Sequence, residues 1–128
     1  MATNLERLSQ HYQNDERVQQ IAEAAKATDS RIRLLGMSGA SDAFFLAATY
    51  RQAPQNYLYI VSDKEEAAYA QNNLAALFEQ KSIHFFPDSF KRPRKFEELD
   101  NNNVLLRTET IHKISSSKGK GEIVVTYP

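Results

Sequence analysis

The sequence predicts an α/β domain built on a parallel sheet, and three observations predict it. Short β-branched or aromatic runs alternate along the chain with longer segments of helical periodicity, the rhythm of strands joined by crossover helices. The runs Tyr57-Leu58-Tyr59-Ile60-Val61 and Ile123-Val124-Val125 are apolar at nearly every position, which suits strands buried on both faces. A glycine-containing junction at residues 36–43 stands between the run at residues 31–35 and the next helical segment, where nucleotide-binding α/β domains hold phosphate.

Each element follows from its residues. Residues 1–12 form a polar lead-in, helical in part through Leu5 and Leu8. Residues 14–28 read as a helix that Asn14 or Asp15 can cap, with Val18, Ile21, Ala22 and Ala25 on one face. Arg31-Ile32-Arg33-Leu34-Leu35 reads as a strand ending on Gly36. Residues 41–52 give a helix that is apolar nearly all round, hence buried, and Pro54 with Gln55 and Asn56 ends it. After the strand at 57–61, Ser62 and Glu65 form a capping box. The helix it opens carries Ala67, Ala70, Leu74, Leu77 and Phe78 on one face. Residues 82–86 make a third strand, and residues 87–99 are irregular, with two prolines. Residues 103–114 read as a helix with Val104, Ile111 and Ile114 inward; a polar turn at 115–121 leads to a last strand at 122–127. A strand that should be central lies directly before Pro128, so the expectation is a truncated domain, the first piece of a longer protein.

At 128 residues, 41% hydrophobic, the chain suits one domain with a real core. Its 16 basic residues balance 16 acidic ones, which excludes strong global attraction to nucleic acid or anionic lipid but leaves room for a local patch. There is no cysteine, so thiolate zinc sites, disulfides and thiol nucleophiles are excluded. The three histidines are widely spread, which argues against a histidine metal site. No apolar run approaches the roughly 20 residues of a membrane span, and residues 1–7 lack the build of a secretory leader. The expected location is the cytoplasm.

The junction Gly36-Met37-Ser38-Gly39-Ala40-Ser41-Asp42-Ala43 carries the most chemistry. A working phosphate loop has a glycine, four residues, then Gly-Lys-Ser/Thr. Its amides cradle phosphate, its lysine reaches the outer phosphates and its hydroxyl binds magnesium. Counted from Gly36, the second glycine is Ser41, the lysine is Asp42 and the hydroxyl residue is Ala43. Asp42 sets an anion against a triphosphate, Ala43 offers the metal no oxygen, and Ser41 adds a Cβ where phosphate needs close approach. Asp42 is also placed to cap the helix amides itself. Spacing alone leaves two readings open: a degenerate phosphate loop, or an ordinary glycine turn that never held a nucleotide.

An ordered set of segments resembles a known family. The set comprises Leu34-Leu35-Gly36-Met37-Ser38-Gly39-Ala40-Ser41, Tyr59-Ile60-Val61-Ser62-Asp63 with the helix after it, Phe85-Phe86-Pro87-Asp88-Ser89-Phe90, Asn103-Val104-Leu105-Leu106-Arg107-Thr108-Glu109 and Ile123-Val124-Val125-Thr126-Tyr127-Pro128. In order and spacing it is similar to the N-terminal region of the bacterial transcription-repair coupling factors (Mfd), over about residues 30–128. The resemblance implies a RecA- or helicase-type, P-loop NTPase-like domain, similar to UvrB, that has lost its ATP site. Residues 1–29 would be a lead-in with its helix and 30–128 the first part of that UvrB-like domain. The family's partners are UvrA, RNA polymerase and double-stranded DNA. Its ATP and magnesium belong to a motor further downstream, so no cofactor and no catalytic residue is implied for residues 1–128. The UvrA-contact positions fall in a following domain.

Other residues suggest narrower roles. Lys91, Arg92, Arg94 and Lys95, flanked by Phe90 and Phe96, suit contact with a nucleic-acid backbone or with another domain, though Glu97, Glu98 and Asp100 oppose their field. Asp63, Glu65 and Glu66 suit helix capping better than metal or acid–base work. His84 and His112 suit structural roles. Two rival functions stay open: an active P-loop ATPase, against which Asp42 and Ala43 stand, and a stand-alone doubly wound module binding a small ligand at the loops after Leu35 and Val61.

Overall fold

A computed structural model describes residues 2–78, 82–88, 101–119 and 121–128. Five helices, α1 (Asn4–Gln13), α2 (Glu16–Lys26), α3 (Ser41–Gln52), α4 (Lys64–Leu77) and α5 (Asn101–Ser117), accompany three strands among these residues. The strands β1 (Tyr57–Ile60), β2 (Ile83–Phe86) and β3 (Ile123–Thr126) form one all-parallel sheet in the order β1-β3-β2. The molecule is therefore α/β, and β3 is the central strand. Its side chains read Ile-Val-Val-Thr, and Ile123, Val124 and Val125 are buried, as a strand covered on both faces requires.

One sheet face holds the core. Tyr57, Tyr59, Ile83, Phe85, Ile123 and Val125 alternate onto it and meet Ala43 of α3 and Ala67, Ala70 and Leu74 of α4. Small alanines let both helices approach closely, and Leu74 fills the space between. No residue from 41 to 50 is exposed: α1, α2 and α4 all pack on α3, which explains its apolar circumference. Tyr12 of α1 stacks on Phe44 at 5.0 Å and meets Phe45 edge-on at 5.3 Å. Gln52 Nε2 donates to Gln13 O at 2.9 Å, and Gln55 Nε2 to Ala25 O at 3.0 Å, tying the α1–α2 pair to the end of α3.

The other face is covered in part. α5 packs on β2, where the Arg107 guanidinium sits 4.1 Å from the Phe86 ring centroid and donates to Pro87 O at 2.7 Å. At β1 this face is open, and Leu58 and Ile60 are 64% and 59% exposed.

Three expectations need correction. Residues 31–35 do not join the sheet. Ser30 Oγ donates to Ala24 O, and Ile32, Leu34 and Leu35 stay exposed along the wall of an open cleft that Tyr12 of α1 and Ile21 of α2 also line. The cap of α4 lies one residue later than expected. Asp63, not Ser62, accepts the Glu66 N–H at 2.8 Å, and the Glu66 carboxylate, not that of Glu65, reaches back to Ser62 N and Oγ. In α5, Val104, Ile111 and Ile114 are exposed. The inward stripe is Asn103, Leu106, Arg107 and Thr110. Thr110 is buried because its hydroxyl donates to Leu106 O at 2.8 Å and so leaves no polar orphan. Within the expected lead-in, α1 runs over Asn4–Gln13 and is opened by a Thr3–Glu6 capping box.

Candidate functional site

The junction at residues 36–43 is built by backbone geometry. Gly36 and Gly39 have φ of +75° and +56°. A Cβ at either would meet nothing within 4 Å, so glycine is required by the left-handed backbone and not by space. The turn then closes on itself. Ser38 N donates to Ser41 Oγ at 2.9 Å, and Ser41 N to Ser38 O at 3.1 Å. Ala40 is the N-cap of α3 and supplies no side-chain acceptor.

Asp42 supplies one instead. Its Oδ1 accepts the Ala43 N–H at 2.8 Å. Its Oδ2 accepts the Tyr59 hydroxyl, reaching across from β1. Burial, then this hydrogen bond and the Asp42 charge, push the Tyr59 phenol well above the usual tyrosine range. A neutral phenol donating to a carboxylate is the arrangement these forces favour. The half-buried carboxylate thus bridges the first turn of α3 to the C-terminal end of β1.

Of the junction residues singled out by spacing, Gly36, Gly39, Ser41, Asp42 and Ala43 lie together at this one corner. Ser41 and Asp42 consume donors that a phosphate loop leaves free: the Ser38 amide is taken by Ser41 and the Ala43 amide by Asp42. Beside the turn lies a cleft of about 610 Å³, walled by Tyr12, Arg17, Arg33, Leu34, Met37 and Phe45 among others. Arg17 is held by Asp15 through Nε–Oδ1 at 3.0 Å and Nη2–Oδ2 at 2.7 Å. That pairing holds the Asp15 carboxyl down at about 2.

Tyr59 is the site residue that sequence reasoning missed, since an aromatic in a strand reads first as core. No spacing rule links a strand tyrosine to a helix aspartate 17 positions earlier; the contact exists only once α3 lies over β1. The basic residues Lys91, Arg92, Arg94 and Lys95 lie outside the described residues. His84 is paired across the sheet, its Nε2 lying 2.5 Å from Glu122 Oε2, a partner that sequence order did not suggest. Asp63 and Glu66 are occupied by the cap of α4.

The sequence matches no protein-family model and is similar to no curated protein.

Proposed function

We propose that this chain is a non-catalytic, helicase-like α/β module of the transcription-repair coupling type, whose phosphate-loop corner serves as a structural joint. The observation that carries this is Asp42, at the lysine position of the loop, with both carboxylate oxygens already committed to Ala43 N and to the Tyr59 hydroxyl. An incoming triphosphate would have to break the bond to Tyr59 and meet a carboxylate of like charge. Ala43 gives magnesium no hydroxyl. Support for the family part comes from the ordered sequence resemblance over residues 30–128 and from an α/β fold compatible with it.

On this reading the module's work is architectural. It scaffolds a neighbouring domain for UvrA recruitment and restrains a downstream motor that uses ATP and magnesium, in a parent that engages RNA polymerase and double-stranded DNA. Phosphate release from Mg-ATP tests the loss of catalysis: the chain releases none above buffer, whereas stimulated release would support an active P-loop ATPase. The coding sequence downstream of the Pro128 codon tests the family. The reading expects a second UvrB-like domain and a motor with an intact Gly-Lys-Ser/Thr loop, and a frame without them contradicts it.

The cleft of about 610 Å³ favours one second reading, a small-ligand module. A small-molecule panel that raises the melting temperature saturably in the wild type, and not in an Arg33→Ala variant, would favour this reading over the scaffold.

A further inference from the structure

We infer that the cleft beside the turn at residues 36–41 binds an amphipathic organic anion, a flat apolar body carrying one carboxylate; this rests on the small-ligand reading of the cleft and names what it takes. Its place in the fold is the first reason. Gly36, Met37, Ser38 and Ser41 line it, and the next residue, Asp42, is fastened to Tyr59 near the C-terminal end of β1. Open parallel sheets take their ligands outside the carboxyl ends of their strands. A volume of about 610 Å³ also falls within the range of small-molecule sites.

The wall supplies the apolar half. Tyr12 is held by Phe44 at 5.0 Å and by Phe45 at 5.3 Å, so the aromatic side of the cleft is set before any ligand arrives. Ile21, Leu34 and Met37 add aliphatic surface. Ile32 and Leu34 are exposed along the same wall. A flat apolar body both stacks on the rings and covers these side chains.

Charge selects the other half. Two arginines, Arg17 and Arg33, line the cleft against one acid, Asp15. Asp15 is spent on Arg17 through both of its oxygens. Arg33 makes no hydrogen bond or ion pair among the described residues. One free guanidinium offers a fork that matches one carboxylate. A phosphate dianion asks for more charge or for backbone amides, and the Ser38 and Ala43 amides are already taken. A cationic ligand would meet Arg33 with repulsion.

An NMR titration of the labelled 128-residue chain tests this. The probe is naphthoate, with its uncharged amide, naphthamide, and acetate beside it; the readout is the Arg33 and Leu34 amides and the Met37 methyl. The expected result is saturable shifts centred on these groups with naphthoate, and binding weaker by about tenfold or more for naphthamide and for acetate. Arg33→Ala, which breaks no bond of the fold, should bring naphthoate down to the level of naphthamide. Arg31→Ala, outside the lining of the cleft, should leave it unchanged. Naphthamide binding as tightly as naphthoate, or Arg33→Ala without effect, overturns the carboxylate and leaves the small-ligand reading standing. Acetate binding as tightly as naphthoate overturns the apolar body. No saturable shift at these groups with any of the three at millimolar concentration overturns the inference and the small-ligand reading together.

Discussion

Asp42 and Tyr59 divide the labour of one hydrogen bond between a helix start and a strand end, and each is half-buried. Tyr59→Phe removes the donor and leaves Asp42 Oδ2 with a lost partner, which costs about 1–3 kcal/mol. Denaturant unfolding should show that loss, and the double variant with Asp42→Ala should cost less than the sum of the singles. The pH dependence has a definite sign. Burial raises both the Tyr57 and Tyr59 phenols above the ordinary value of 10.0, with Tyr59 lifted further by Asp42. Their stabilisation is therefore fully present below pH 10, the unfolded value, and is lost as pH rises toward the folded ones. The melting temperature should fall above about pH 10, less steeply in Tyr59→Phe. Asp15 works the opposite way. Its carboxyl is held at about 2 against an ordinary 3.8 by the hydrogen bonds and charge of Arg17. Its contribution is present above pH 3.8 and fades as pH falls toward 2, and Asp15→Asn, which keeps a capping oxygen, should flatten that acid limb. Gly121 is the residue where a methyl does most harm. Its φ is +101°, and a Cβ would stand 2.5 Å from the Tyr50 hydroxyl, which itself donates to Gly121 O at 2.7 Å. Gly121→Ala should destabilise by about 1–3 kcal/mol and lower the denaturant midpoint without changing the slope.

Elements divide by how local their causes are. α3, α4, β1, β2 and β3 are legible in the sequence because period and burial agree: Ala67, Ala70 and Leu74 recur at helical spacing and are all buried. The cap of α4 slipped by one residue because Ser62, Asp63, Glu65 and Glu66 offer overlapping cap patterns. Only the backbone of Asp63, at φ −155° and ψ 176°, fixes which is the cap. Residues 31–35 look like a strand by composition, yet a strand exists only with a ladder partner, and composition cannot name one. The buried face of α5 was missed for the same reason: β2 presents Phe86 and the carbonyl of Pro87, and these select Arg107 over the neighbouring Val104. At the candidate site the glycines and the anomalous Asp42 were readable from spacing, while Tyr59 required the third dimension. Truncating Leu74, which is fully buried between α4 and the sheet, should cost about 2–5 kcal/mol as Leu74→Ala, measured by urea unfolding.

For the whole molecule, the sheet is the frame and the corner at residues 36–43 is its joint. α3 is gripped by α1 and α2 on one side and α4 on another, and Asp42 fastens its first turn to β1. No helix among the described residues is long and apolar enough to cross a membrane. Ser41 Oγ accepts the Ser38 amide and Asp42 Oδ1 the Ala43 amide, so the turn's own side chains take up these donors and hold the corner together. The most direct measurement is an NMR titration of the labelled chain with Mg-ATP, following the amides of Gly36, Ser38, Gly39, Ser41, Asp42 and Ala43. The account predicts that these resonances stay in place up to millimolar nucleotide. Saturable shifts centred on them, with the Tyr59 hydroxyl released from Asp42, would contradict it.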